Sequence, residues 1–432
     1  MLQHGPEAEP LAVPTPSSDQ TGSTLADEVW TPLWLGVALL LLGSGLLGTL
    51  LGVRAGVEGF TTATVGIIMS AYFLGYLAGS RIGPMFIHRV GHIRTYAALA
   101  AIAAAAAGLH AIFVSPFTWI VLRALTGVCL AGLYIVMESW INASATNRNR
   151  GHLLSIYMIV NLGGLALGQQ LLNLFEPAGF QLFMLSSLLI SLSLVPFALT
   201  NRTAPKVPAS ARLGMRALLH ISPLGIIGCF AVGMSNGAFW GMAPVFAQAV
   251  GLSVADIAIF MSVVILGGIA GQWPIGRLSD RLDRRLVIAV TCILCATLSG
   301  AIFVWSRQSE LVLFCLGFLF GGFALTLYSL CVAHTDDHMD QTDLVDASGA
   351  LLGAFGLGAI LGPAVSSLVM TAIGPEGLFL YIAVVTVCLG GFALYRILTH
   401  EPTPTKQKNK FVAVPETTPI VHELDPRVDR SV

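Results

Sequence analysis

Along this chain, long apolar stretches alternate with short polar or Gly/Pro-rich breaks. A bilayer core of about 30 Å asks for roughly 20 predominantly apolar residues per helix. Twelve runs meet that requirement, near residues 32–54, 62–87, 95–114, 117–142, 151–174, 179–200, 221–247, 254–276, 286–306, 311–334, 344–373 and 376–397. Ser115-Pro116 and Gly374-Pro375 are thin breaks, each parting two neighbouring runs. The pattern predicts an all-α membrane protein that crosses the bilayer with twelve helices. Residues 1–30 hold Glu7, Glu9, Asp19, Asp27 and Glu28 but no Lys or Arg, so the basic start of a secretory signal is missing. A disordered tail is expected there. A second is expected over 399–432, where Pro, Thr and charge leave too little apolar surface to fold alone.

Of the 22 Lys and Arg residues, eighteen fall on one side when the breaks are assigned alternately, and only Arg54 and Arg307 fall on the other. Cytoplasmic loops carry the cationic excess, which puts both tails in the cytoplasm of a bacterial inner membrane. Composition sharpens the picture: 55% of residues are hydrophobic and 10% charged, against about 25% charged in soluble domains. A soluble enzyme is excluded, and a net charge of -1 leaves no nucleic-acid footprint. All seven cysteines lie in apolar runs, Cys292 and Cys295 included, where they read as small hydrophobes.

The second and eighth spans align at an offset of 192, Leu74-Gly75 with Leu266-Gly267, Ala78-Gly79 with Ala270-Gly271, and Arg89 with Arg281. The fourth and fifth spans align with the tenth and eleventh at 194, Gly127 with Gly321 and Gly164-x-x-Leu167-Gly168 with Gly358-x-x-Leu361-Gly362. Six spans separate the copies, so the halves share one orientation and form a parallel repeat with a solute site between them. The halves are expected at 31–200 and 218–398, joined by a cytoplasmic linker at 201–217.

The run Gly276-Arg277-Leu278-Ser279-Asp280-Arg281-Leu282-Asp283-Arg284-Arg285 resembles the G-x-L-x-D-R-x-G-R-R loop of the major facilitator superfamily, with Asp283 in place of the second Gly. In the first half Arg89 and Gly91 remain, with Pro84 for Gly and His88 for Asp, and Arg123-x-x-x-Gly127 is similar to a fourth-span element of that family. Val136-Met137-Glu138-Ser139, Asn147-Arg148-Asn149-Arg150-Gly151, Tyr157-Met158, Gly168-Gln169 and Gly271-Gln272-Trp273-Pro274-Ile275-Gly276-Arg277 look like its YcaD-like branch. The resemblance implies the major facilitator fold and transport. The G-x-x-x-G-P motif of drug antiporters has Gln169 in place of Pro, which weakens drug/proton antiport as a reading.

A charge inside a span costs at least about 2.5 to 3.5 kcal/mol, so it needs a partner or a water-filled path. Arg81, Arg123 and Glu138 are such charges. Arg123 and Glu138 are fifteen residues apart on one helix, roughly 22 Å, and cannot pair. Arg123 is free either to meet an anionic solute group or to tie helices. Glu138 lies level with Arg81 near the inner end, where Arg89 and Arg94 offer a gate-closing salt bridge of the kind the superfamily loop implies. Alternatively Glu138 exchanges a proton as access changes, and both roles combine if it pairs in one state and protonates in the other. Arg277, Asp280 and Arg281 are expected at the same inner gate. Asn161, Gln169, Asn236, Gln272 and Tyr328 mark a cavity, with Tyr72, Tyr76 and Trp240 as aromatic lining, against the alternative of helix-to-helix contacts. His334, Asp336, Asp337, His338, Asp340 and Asp343 read as helix-start acids rather than a metal site.

No catalytic signature such as G-x-S-x-G, a Walker loop or H-E-x-x-H is present, and no cofactor or metal is called for. The expected function is secondary active transport of a small organic solute by alternating access, coupled to protons, in a monomer. Its rivals are an uncoupled facilitator or sensor of the same fold and an intramembrane enzyme. The expected partners are the solute, protons and the lipid bilayer.

Overall fold

The structure is a computed structural model, and it describes residues 18–146, 148–199, 214–339, 344–399, 408–425 and 427, with side chains from residue 32 onward. Among the described residues, twelve helices are long and apolar enough to cross a membrane: Pro32–Val57, Thr62–Val90, His92–Ile112, Pro116–Ala143, Arg150–Leu174, Gln181–Ala198, Pro223–Ala249, Val254–Arg281, Arg284–Trp305, Glu310–Asp336, Leu344–Ile373 and Gly377–Thr399. These spans are numbered one to twelve below. Local chemistry sets their ends. Thr61 and Ser253 accept the Thr64 and Asp256 amides at 3.2 Å, while Pro116 and Pro223 open the fourth and seventh spans where no amide is needed. Gly91 at φ 86 and Gly374 at φ 116 turn the chain in the left-handed region that other residues avoid.

Every helix pair of the first half has a counterpart six spans later: two with four and eight with ten, one with five and seven with eleven, three with six and nine with twelve. The contacts repeat at atomic scale. A Cβ on Gly75 would lie 1.9 Å from the Ala124 carbonyl, and one on Gly267 would lie 1.9 Å from that of Phe318. Gly127 and Gly321 return the favour against Tyr72 and Val264, at 2.1 and 2.0 Å. The aligned glycines are therefore where backbone meets backbone, the packing that small residues allow in a membrane.

Three features depart from the sequence expectation. The first helix begins at Ser18, so part of the stretch assigned to a disordered tail is helical, and residues 1–17 lie outside the described residues. A short helix, Met215–Ile221, precedes the seventh span, and residues 201–213 of the linker lie outside the described set. The largest departure is the carboxy-terminal segment. Residues 408–425 run into the bundle and end in a 3-10 helix, Pro419–Leu424, with Val414, Ile420, Val421 and Leu424 buried. Composition misses this because those four side chains bury against the spans, not against one another.

Overpacking costs about 1 to 3 kcal/mol. Gly75→Ala and Gly267→Ala should each lower the melting temperature in detergent by several degrees. Gly300→Ala, which meets nothing within 4 Å, should leave it unchanged.

Candidate functional site

The two halves meet at the end of the bundle remote from the arginine-rich loops. A Cβ on Gly66 would strike Ser367 and the Pro363 carbonyl, and one on Gly52 would strike Pro244. Gln170 donates to the Ala258 carbonyl at 3.0 Å and to Ser262 Oγ at 2.7 Å, and Ser262 donates to the Ala166 carbonyl at 2.8 Å. These bonds join the fifth and eighth spans, so Gln170 is a tie between halves and not a cavity residue. Toward the arginine-rich end the halves diverge around a cavity of about 880 Å³.

Tyr72, Tyr76, Arg81, Arg123, Asn161, Gln169, Trp240 and Gln272 all line this cavity. Arg123 is 7% exposed, lies 4.3 Å from the centroid of the Tyr72 ring, and leaves its Nε without a hydrogen-bond partner among the described residues. Stacking on a ring satisfies part of the cation and leaves its donors available. Gln169 accepts from Thr49. Gln272 donates to the Leu325 carbonyl at 3.3 Å, with its own oxygen unpartnered among the described residues. Two expected residues sit behind the wall. Asn236 is buried and donates to Glu416 Oε1 at 2.8 Å, and Tyr328 packs edge-on against Phe355, its hydroxyl unpartnered among the described residues.

Glu138 also lies behind the wall, fully buried. Among the described residues it forms no ion pair, so the expected bridges to Arg81, Arg89 or Arg94 are not made in this conformation. Arg81 instead faces the cavity, and Arg89 and Arg94 are exposed. The Tyr157 hydroxyl donates to Glu138 Oε1 at 2.7 Å, and the Thr417 and Thr418 hydroxyls donate to Oε1 and Oε2. Sequence reasoning singled out neither threonine, because nothing in a Pro- and Thr-rich tail marks it as entering the bundle. Tyr157 lies one span from the buried acid, and a hydroxyl in that position is a legible partner in the sequence.

The loop after the eighth span holds the same tail. Asp280 accepts from the Phe411 amide at 2.7 Å and from Arg284 at 3.4 Å. Arg284 pairs with Asp337 at 2.6 Å and donates to the Asn409 carbonyl. Arg277 stacks on Trp273, 4.4 Å from the ring centroid, and Arg281 is exposed. Asp336 pairs with Arg427 at 2.7 Å, His334 meets His338 edge-on, and Asp340 and Asp343 lie outside the described residues. Burial pushes the Glu416 carboxyl up to about 7 against the opposing pull of Asn236. Burial likewise lowers His422 to about 4.

The sequence matches the family model described as Major Facilitator Superfamily over residues 33–342 and 225–424. The chain belongs to the major facilitator superfamily. It is 30% identical to an uncharacterized MFS-type transporter YcaD of Escherichia fergusonii over 81% of this chain and 91% of that one. Its fold is similar to the nucleoside transporter NupG, with a TM-score of 0.70, 17% identity and coverage of 86% and 100%. It is also similar to a bacterial homolog of the human lysosomal transporter Spinster in an inward-facing and occupied conformation, at TM-score 0.68, 14% identity and coverage of 91% and 99%. This major facilitator protein is a multi-pass membrane transporter and not an enzyme.

Three hydrogen bonds of about 1 kcal/mol each hold the fifth and eighth spans together at the closed end. Gln170→Ala with Ser262→Ala should shift the population toward opening there by about tenfold or more. Maleimide labelling of Ser367→Cys, with the exposed Cys315 and Cys388 replaced by Ser, should accelerate correspondingly. An unchanged rate would show that these bonds do not hold the gate.

Proposed function

We propose that this chain is a secondary active transporter that moves a small organic solute across a bacterial inner membrane by alternating access. Protons are the coupling ion, the chain acts as a monomer, and both termini face the cytoplasm, as the eighteen cations on the inner side support. The observation that carries the coupling is the shell of Glu138: a carboxylate with 0% exposure, beside the cavity, whose side-chain partners among the described residues are three hydroxyls, joined by the Val421 amide, and no cation. A hydroxyl donates to a carboxylate and accepts from a carboxylic acid, so one shell serves both protonation states. An arginine partner would have locked the charge in place.

Arg123 supports the reading of where the solute sits. Its guanidinium faces the cavity from a membrane span with the Tyr72 ring beneath it, an arrangement suited to an anionic or strongly accepting group on the solute. A thermal-shift screen of metabolites against the purified chain would supply a solute for reconstitution. Charge-assisted hydrogen bonds are worth about 1.5 to 3 kcal/mol. Arg123→Gln should therefore weaken solute binding about ten- to hundredfold.

Glu138→Gln keeps shape and hydrogen bonding but cannot titrate. Accumulation driven by a proton gradient, measured between about pH 5 and 8, should be lost. Counterflow exchange in the same liposomes should persist. Retained accumulation would remove the coupling role and favour an uncoupled facilitator. A joint decline of both activities, with the pH profile unchanged, would make Glu138 structural.

A further inference from the structure

We infer that residues 411–421 are a tethered ligand of the transport cavity, a plug made of the chain's own carboxy-terminal segment that competes with the solute and holds the halves apart. The inference rests on the cavity being the solute path. The segment enters over Gly276, where the Phe411 ring lies so close that a Cβ would be 2.3 Å from it. Ser329 then clamps Val414, its hydroxyl 3.2 Å from both the backbone carbonyl and the amide. Val414, Pro415, Glu416 and Thr417 themselves form part of the cavity wall. Beyond them, Asn142 donates to the Ile420 carbonyl at 2.7 Å, and Arg427 pairs with Asp336.

These contacts divide between the halves. Tyr76, whose hydroxyl donates to the Thr417 carbonyl at 3.3 Å, Glu138 and Asn142 belong to the first half. Asn236, Asp280 and Ser329 belong to the second. A segment bonded to both sides at the open end blocks closure there, and closure at that end is the other half of an alternating-access cycle. The plug also takes the space and the hydrogen-bonding groups that a solute would use. Because it is tethered to the twelfth span, its effective concentration is on the order of millimolar, so a weak intrinsic affinity suffices and a solute can still displace it.

The chemistry of the segment fits the site it fills. Its two threonine hydroxyls supply donors to a buried acid that finds no cation among the described residues, and its three buried apolar side chains, Val414, Ile420 and Val421, cover span surfaces that would otherwise face the open mouth. When the segment leaves, Glu138 keeps Tyr157 and loses two donors. Release of the plug thereby opens the coupling residue to water.

The test uses the full-length chain with Cys315→Ser and Cys388→Ser, and reads labelling of Ser348→Cys by a hydrophilic maleimide. Ser348 is buried and reaches the Pro419 carbonyl at 3.4 Å. Labelling should be slow in the parent and at least about tenfold faster after Phe411→Asp with Thr417→Val and Thr418→Val. Thr417→Ser with Thr418→Ser keeps the donors and should stay slow. A synthetic peptide of residues 408–427, added at about 1 mM to the released chain, should slow labelling again, while a scrambled peptide should not. Equal labelling in parent and released chains, or a peptide without effect, would overturn the plug. With the solute found by thermal shift, exchange should run severalfold faster in the released chain, and equal rates would overturn its inhibitory role. Labelling and peptide protection need no transport, so they fail or succeed independently of proton coupling at Glu138.

Discussion

Inside a bilayer no water stands ready to satisfy a polar group, so each one between helices must find its partner in the chain itself. That constraint organises the functional half of this molecule. Glu138 sits where the fourth span is almost wholly buried, and its oxygens are met by one hydroxyl from the fifth span and two from the carboxy-terminal segment. The segment in turn gives its backbone to Ser329, Asn142 and Tyr76. A Pro- and Thr-rich stretch that could not fold alone acquires one conformation because the bundle presents unmet acceptors and donors at matching intervals.

The same constraint divides the bundle into rigid and movable parts. Within each half, helices touch through glycines whose Cα atoms abut carbonyl oxygens of the neighbouring span, a fit that leaves no room for sliding. Between the halves the ties at the closed end include a few polar bonds, Gln170 to Ser262 and Ser262 to Ala166 among them, and small-residue contacts near Gly52 and Gly66. Dense packing inside each half and exchangeable contacts between them favour motion of the halves as bodies.

What could be read in the sequence follows from range. Spans announce themselves because membrane thickness fixes their length, and the repeat announced itself because Gly75 and Gly267, or Gly168 and Gly362, meet equivalent backbone in both halves. Arg123, Tyr72, Gln169 and Gln272 were found because a polar side chain in an apolar run is conspicuous. The shell of Glu138 was not. Its partners Thr417 and Thr418 lie 279 and 280 residues further along, in a stretch where threonine is ordinary. Proximity in sequence favoured Arg89 and Arg94, which the fold leaves at the exposed end.

The separation of the two charged residues on the fourth span gives that helix a particular place in the cycle. Arg123 lies toward the closed end and Glu138 toward the open one, on a single unbroken helix, Pro116–Ala143. Among the described residues the carboxy-terminal segment bonds Glu138 but makes no hydrogen bond or ion pair with Arg123. Changes at the open end therefore alter the carboxylate's partners while the guanidinium keeps its ring. A helix of 28 residues packed through Gly127 against the backbone of the second span moves as a rod. Any shift that a solute imposes at Arg123 is carried to Glu138 as displacement of the whole rod, without a relay of intervening side chains. If Arg123 holds the solute and Glu138 the proton, as proposed, the two need never touch, and the rigidity of one helix is sufficient to make the occupancy of one depend on the other.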